Sequence, residues 1–192
     1  MHKFDPSKRA RLMSDERRNE LLPWEFLKAN GLSSGMTVAD IGCGPGFFTL
    51  PAAEIVGPGG TVYAVDSEPV MVEEVKRSTP AAHVTCIHSG ESSIPLGDGS
   101  CDYALLAFTL HEAKERGLFL EEVKRILKKE GTLLLLDWEK RDEERGPPRE
   151  ERIAKEEAQH LMEAAGFVIE KTGNHTPSHY IVRGRKRGEG PH

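Results

Sequence analysis

Amide side chains are nearly missing: the 192 residues hold only Asn19, Asn30, Asn174 and Gln159. Set beside abundant Glu, Lys and Arg, that scarcity is a compositional sign of a chain built for heat. Cysteine is also scarce. Cys43, Cys86 and Cys101 are odd in number and form no C-x-x-C pair, so neither a disulfide framework nor a structural zinc site is indicated. A reducing, cytoplasmic setting is the expectation. Long apolar runs are missing too. The longest, Ala104 to Phe108 and Leu133 to Leu136, fall far short of the ~20 residues that span a bilayer. The start, Met1-His2-Lys3-Phe4-Asp5-Pro6, has no apolar stretch and does not read as a signal peptide. Neither charge sign dominates. Twenty-six basic against 31 acidic side chains give a net charge of −5, which argues against nucleic-acid or anionic-membrane partners.

What is present is an ordinary globular composition, 38% hydrophobic and 30% charged. The length fits one domain with appendages, large enough to bury a core without metal or disulfide. Strand and helix signals alternate along the chain. Short apolar strands are predicted at Thr37–Ile41, Thr61–Val65, His83–His88, Asp102–Phe108 and Thr132–Asp137, with two closing strands at Phe167–Lys171 and Tyr180–Gly184. Helices are predicted from Ser14, over Trp24–Asn30, Phe47–Val56, Glu68–Arg77, Leu118–Lys128 and Glu150–Ala165. This alternation is the signature of a doubly wound α/β sheet. Ligands of such sheets sit outside the carboxyl ends of the strands, so function is sought in the loops that follow them.

The strongest motif is Asp40-x-Gly42-x-Gly44-x-Gly46 at the end of the first strand. It is neither G-x-G-x-x-G nor a P-loop, because the third glycine comes early and no Lys follows. Its glycines permit positive φ and close backbone approach to a ligand. Asp40 at the lip would repel a diphosphate and suits a ligand carrying an ammonium group. Asp66 closes the second strand, where a carboxylate can accept both hydroxyls of a ribose; the plain alternative is a helix N-cap. Met71, one turn further, is read either as a purine contact or as a core methionine.

These residues resemble class I S-adenosylmethionine-dependent methyltransferases. Asp40 to Gly46 is similar to their first motif, and Val65-Asp66 to the acid after strand two. The stretch Ser92-Ser93-Ile94-Pro95-Leu96-x-x-Gly99-Ser100-Cys101-Asp102-Tyr103 is similar to their "L-P-F-x-D-G-S-F-D". Leu110-His111-Glu112, and Glu122-x-x-Arg125-x-Leu127-Lys128-x-x-Gly131-x-Leu133, resemble the segments after strand four and before strand five. The likeness spans about residues 32–138 and is greatest to the group that resembles ubiquinone and menaquinone biosynthesis methyltransferases.

The resemblance implies a seven-stranded, mostly parallel Rossmann-like sheet with an antiparallel last strand. It implies S-adenosylmethionine as cofactor and S-adenosylhomocysteine as product. Asp40, Gly42, Cys43, Gly44 and Gly46 would line the methionine part, Asp66 would hold the ribose, and Ser67 and Met71 would flank the adenine. Where the family often has an Asp reading the adenine amino group, this chain has Gly90, and Glu91 or Ser92 is expected to take over. Ala107, ending strand four, joins the cofactor set. Residues 1–31 would form lid helices, 32–184 the methyltransferase domain and 185–192 a polar tail.

Catalytic candidates lie just past strands four and five: His111, with Glu112, and Asp137. His111 can titrate near neutrality and serve as base or substrate contact; the alternative is a packed structural histidine. Phe4, Arg17 and Trp24 are candidates for the acceptor pocket, against the alternative of a solvated face and core aromatics. The chain lacks the D/N-P-P-Y/F of amino-methylating nucleic-acid enzymes, so a small-molecule acceptor is expected. A monomer or homodimer is expected, without metal. The competing readings are a non-catalytic S-adenosylmethionine-binding protein and an NAD-dependent oxidoreductase.

Overall fold

A computed structural model describes residues 9–79, 81–90 and 93–188. Seven strands form one sheet: β1 (Thr37–Ile41), β2 (Thr61–Asp66), β3 (Val84–His88), β4 (Cys101–Ala107), β5 (Leu127–Trp138), β6 (Phe167–Thr176) and β7 (His179–Lys186). Their order is β3-β2-β1-β4-β5-β7-β6. The first five pair in parallel, and β7 runs antiparallel to both β5 and β6. The order reverses between β1 and β4. That is the switch point at which such sheets open a crevice beyond their strand ends.

Alternation along the strands divides the core. Ala39, Ala104, Leu106, Leu133, Leu135 and Val182 face one layer of helices, α6 (Arg116–Ile126) and α7 (Lys155–Ala164). Val38, Tyr103, Leu105, Leu134, Leu136 and Ile181 face the other, built from α3 (Pro23–Ala29) and α4 (Thr49–Val56). Period-two side-chain geometry explains why the tetraleucine Leu133–Leu136 is apolar without interruption: both faces of β5 are covered, and all four residues are fully buried. α5 (Pro69–Ser78) packs on β2 and β3. Ahead of β1 come α1 (Arg9–Leu12) and α2 (Asp15–Leu21). Ser14 caps α2 by accepting the Arg17 N–H, and Asp15 and Glu16 complement its dipole.

The E-x-x-R segment of α6 is a clamp. Arg125 donates to the carbonyls of Ile94 and Leu96, while Glu122 accepts from the Ile94 N–H and from Arg125 Nε and Nη2. Several boundaries differ from expectation: β5 already begins at Leu127, inside the expected helix Leu118–Lys128, and β6 runs on to Thr176. Helix α7 starts at Lys155, not Glu150, because Arg152 is buried and extended there. Its guanidinium donates to the carbonyls of Pro147, Glu139 and Arg145, which folds residues 139–152 around it. The polar tail also starts later than expected: Arg185 and Lys186 belong to β7, paired with Val168 and Phe167 of β6. Phe4 lies outside the described residues.

Candidate functional site

β1 delivers Asp40 to the switch point, and the glycine loop turns the chain back over β2. Gly42, Gly44 and Gly46 have φ of +74°, +53° and +94°. The Gly42 and Cys43 N–H groups both donate to the Val65 carbonyl, and the Gly44 N–H donates to Asp66 Oδ2 at 2.8 Å. At Gly42 a Cβ would stand 2.3 Å from Thr109 Oγ1. That hydroxyl donates toward the carbonyls of Ile41 and Ala107, so Thr109 stitches the loop after β4 to the loop after β1.

Two carboxylates face this loop from within the protein. Asp40 is 2% exposed and accepts the Thr49 hydroxyl at 2.6 Å. Burial pushes its pKa up to about 7; the Thr49 hydrogen bond opposes this and the Asp66 charge adds to it. Asp66 accepts Gly44 N–H on one oxygen and Glu68 N–H on the other. Burial raises its pKa as well, against the pull of those two N–H groups.

A single cavity of about 770 Å³ begins at this loop and runs out between α2, β4, β5 and β7. Asp40, Gly42, Cys43, Gly44, Asp66, Ser67, Met71, Ala107 and His111 all line it. Ser89 and Gly90 do too. Met71 is both buried and on the cavity wall, so its two sequence readings coexist. Gly46 does not line the cavity; its Cα faces Val75 of α5, which lets the loop pack on that helix. Glu91 and Ser92 lie outside the described residues.

At the inner end of the wide half stands a histidine–carboxylate pair. His111 sits in a 3₁₀ turn (Leu110–Glu112) just past β4, and Asp137 near the end of the adjacent β5. His111 Nδ1 lies 2.7 Å from Asp137 Oδ1, so the proton is assigned to Nδ1 and Nε2 carries the free lone pair. The same Oδ1 accepts the Trp138 N–H. Burial pulls the His111 pKa down, but the Asp137 charge and hydrogen bond, with Glu112 behind them, more than offset it and the pKa is raised. Asp137 stands behind His111 and does not reach the cavity wall. Its Oδ2 is buried without a hydrogen-bond partner among the described residues.

Beyond His111 the wall is aromatic. Phe108, Trp138 and His179 form a mutually touching cluster of tilted rings, with centroids at 5.5 Å for Phe108–Trp138, 5.2 Å for Phe108–His179 and 4.4 Å for Trp138–His179. Phe108 holds φ +61°, a left-handed conformation unusual for a bulky side chain and worth roughly 1 kcal/mol of strain. Gly146, with φ +87°, lies so near the Trp138 ring that a Cβ would meet it at 2.9 Å. Burial and the neighbouring Arg17 charge push the His179 pKa down to about 4, so it is neutral. Arg17 reaches this wall from α2. Trp24 does not: its indole N–H donates to Glu54 Oε2 at 2.6 Å, away from the cavity. Phe47, Phe108, Thr109 and His179 are cavity residues that sequence reasoning missed. The aromatic residue ending the nearly all-apolar strand before Thr109 was the available signal for Phe108. His179 had none, because its position depends on the β6–β7 hairpin.

Among the described residues no helix is long and apolar enough to cross a membrane, and no group of three or more metal-ligating side chains occurs. Comparison with known proteins agrees with this geometry. A SAM dependent methyltransferase from Aquifex aeolicus superposes with a TM-score of 0.91 at 35% identity, covering 95% of this chain and 99% of that one. A demethylmenaquinone methyltransferase of Anoxybacillus flavithermus is 31% identical over 116 residues, 59% of this chain and 49% of the relative. One from Geobacillus is 30% identical over 121 residues, 60% of this chain and 52% of the relative. The chain thus spans about half the length of the curated relatives it matches. Residues 39–135, from the Asp40 loop through the Leu133–Leu135 strand, match the methyltransferase domain family. With the whole-length superposition, that match means the chain belongs to this family, the class I methyltransferases whose cofactor is S-adenosylmethionine.

Proposed function

We propose that this chain transfers a methyl group from S-adenosylmethionine to a small-molecule acceptor, with His111 as the base. The observation that carries the reading is the single cavity, which joins the glycine loop to the His111–Asp137 pair without a wall between. The residues present fit the cofactor. Gly42 and Gly44 present bare backbone to the cavity, Asp40 suits its ammonium group, and Asp66 offers a carboxylate to ribose hydroxyls.

When bound, the cofactor supplies an electrophilic methyl carbon for in-line displacement. His111 Nε2 would take the proton that the acceptor gives up on methylation. Asp137 fixes the Nδ1–H tautomer and stabilises the imidazolium that results. The aromatic wall holds the acceptor's frame and keeps water out. Helices α1 and α2 serve as a lid. Arg145 ties α2 to the loop after β5, donating to Glu16 at 2.9 Å and Glu20 at 3.3 Å. The demethylmenaquinone methyltransferases among its relatives support a small acceptor.

Isothermal titration tests the reading. Binding of S-adenosylhomocysteine, and no binding of NAD, is the expected result. Heat with NAD alone would contradict it. His111→Gln is expected to keep cofactor affinity and lose about 10²-fold or more in kcat toward any acceptor that needs deprotonation.

A further inference from the structure

Arg17 lines the cavity wall beside its aromatic residues. Its guanidinium carbon lies 4.6 Å from the Phe47 ring centroid and 4.9 Å from that of Phe108. The rings cover it, and its edge is what remains for hydrogen bonding. Nη1 donates to the Leu12 carbonyl at 3.2 Å. Among the described residues no carboxylate lies within ion-pair distance of it. The nearby acids are paired elsewhere: Glu16 and Glu20 both accept from Arg145. Burial lowers the Arg17 pKa to about 10, with Glu20 opposing and Arg11 assisting, so it stays charged at neutral pH. A half-buried guanidinium on the same cavity wall as the Phe108, Trp138 and His179 rings is a receptor for a flat oxyanion: charge-assisted hydrogen bonds come from its edge, and apolar ring faces lie beside it.

We propose that the acceptor binds as a planar oxyanion on a conjugated ring, with Arg17 receiving the negative oxygen against the aromatic wall. This rests on the methyl-transfer reading of the same cavity. It narrows the substrate class to ring compounds that carry an acidic hydroxyl or a carboxylate. A neutral ring would leave Arg17 buried and uncompensated, and a cationic one would be repelled.

The test uses the full chain saturated with S-adenosylhomocysteine and 4-nitrophenol as probe, because its anion and neutral form absorb differently. The neutral isostere 4-nitroanisole is the control. The expected result is an apparent pKa of bound 4-nitrophenol lowered by about one unit or more, a tenfold preference for the anion, with 4-nitroanisole bound correspondingly more weakly. Arg17→Met should abolish the preference and keep S-adenosylhomocysteine affinity, while Arg17→Lys, which retains the charge, should restore part of it. Equal binding of both probes, no binding of either, or a preference that survives in Arg17→Met would overturn the proposal. Any of these with S-adenosylhomocysteine still bound leaves the methyl-transfer reading standing; failure of S-adenosylhomocysteine itself to bind sinks both.

Discussion

In the proposed reaction Asp40, Asp66 and the His111–Asp137 pair act through their surroundings. Asp40 titrates at about 7 because it is buried, so a ligand ammonium must meet it ionised. Cofactor affinity is therefore expected to rise with pH up to about 7 and level off above, with proton release on binding below that point. Calorimetry in buffers of different ionisation enthalpy would show it, and Asp40→Asn should flatten the dependence. Asp66→Ala is expected to weaken S-adenosylhomocysteine at least tenfold, about 1.4 kcal/mol, by removing a charge-assisted acceptor and freeing the Gly44 N–H. An unchanged affinity would refute the ribose role. His111 has the opposite linkage from a paired acid. Its folded pKa is raised, so the pair's stabilisation is fully present below the unfolded value of about 6.5 and is lost as pH rises through the folded one. The melting-temperature advantage over His111→Gln should be largest near pH 6 and shrink toward alkaline pH.

Among the elements, the segment after β5 departs furthest from its sequence. Glu139–Arg149 reads as a charged, Pro-interrupted linker, and nothing local reveals that Arg152 will be buried at its centre. The burial is long-range: three carbonyls of the loop converge on one guanidinium, which also faces the Trp138 ring at 5.1 Å. Arg152→Met is expected to cost about 3 kcal/mol, since it strands those carbonyls, and to loosen the cavity's outer wall. Urea denaturation would measure it. Arg145→Ala should cost less than about 1 kcal/mol, because its pairs with Glu16 and Glu20 are solvent-exposed. The inner site was far more legible. Asp40 and Asp66 sit at the carboxyl ends of β1 and β2, the glycine loop follows β1 and His111 lies shortly past β4, so local pattern places them at the sheet's carboxyl edge. Phe47, Phe108 and His179 join them only through the packing of α4, β4 and the β6–β7 hairpin, which no local pattern encodes. Arg17 was legible as a candidate residue, but its lack of a counter-charge was not.

For the whole molecule, alternation of helix and strand was enough to predict the doubly wound sheet, because each strand's two faces need separate helical cover. The core mixes aliphatic and aromatic side chains, and two of the three cysteines, Cys43 and Cys101, are buried in it as free thiols. Leu135→Ala, buried in the middle of β5, should cost about 2–5 kcal/mol. The site and the sheet are one cooperative unit, so ligand binding should stabilise the whole. S-adenosylhomocysteine at 100 times its Kd is expected to add about 2.7 kcal/mol and several degrees to Tm.

In the proposed reaction cofactor and acceptor share one cavity and meet at His111. A crystal structure with S-adenosylhomocysteine tests this most directly. The ribose is expected on Asp66, the amino group toward Asp40, and the sulfur facing the space bounded by His111, Phe108 and Arg17. A ligand seated elsewhere, or a sulfur directed away from that space, would contradict it.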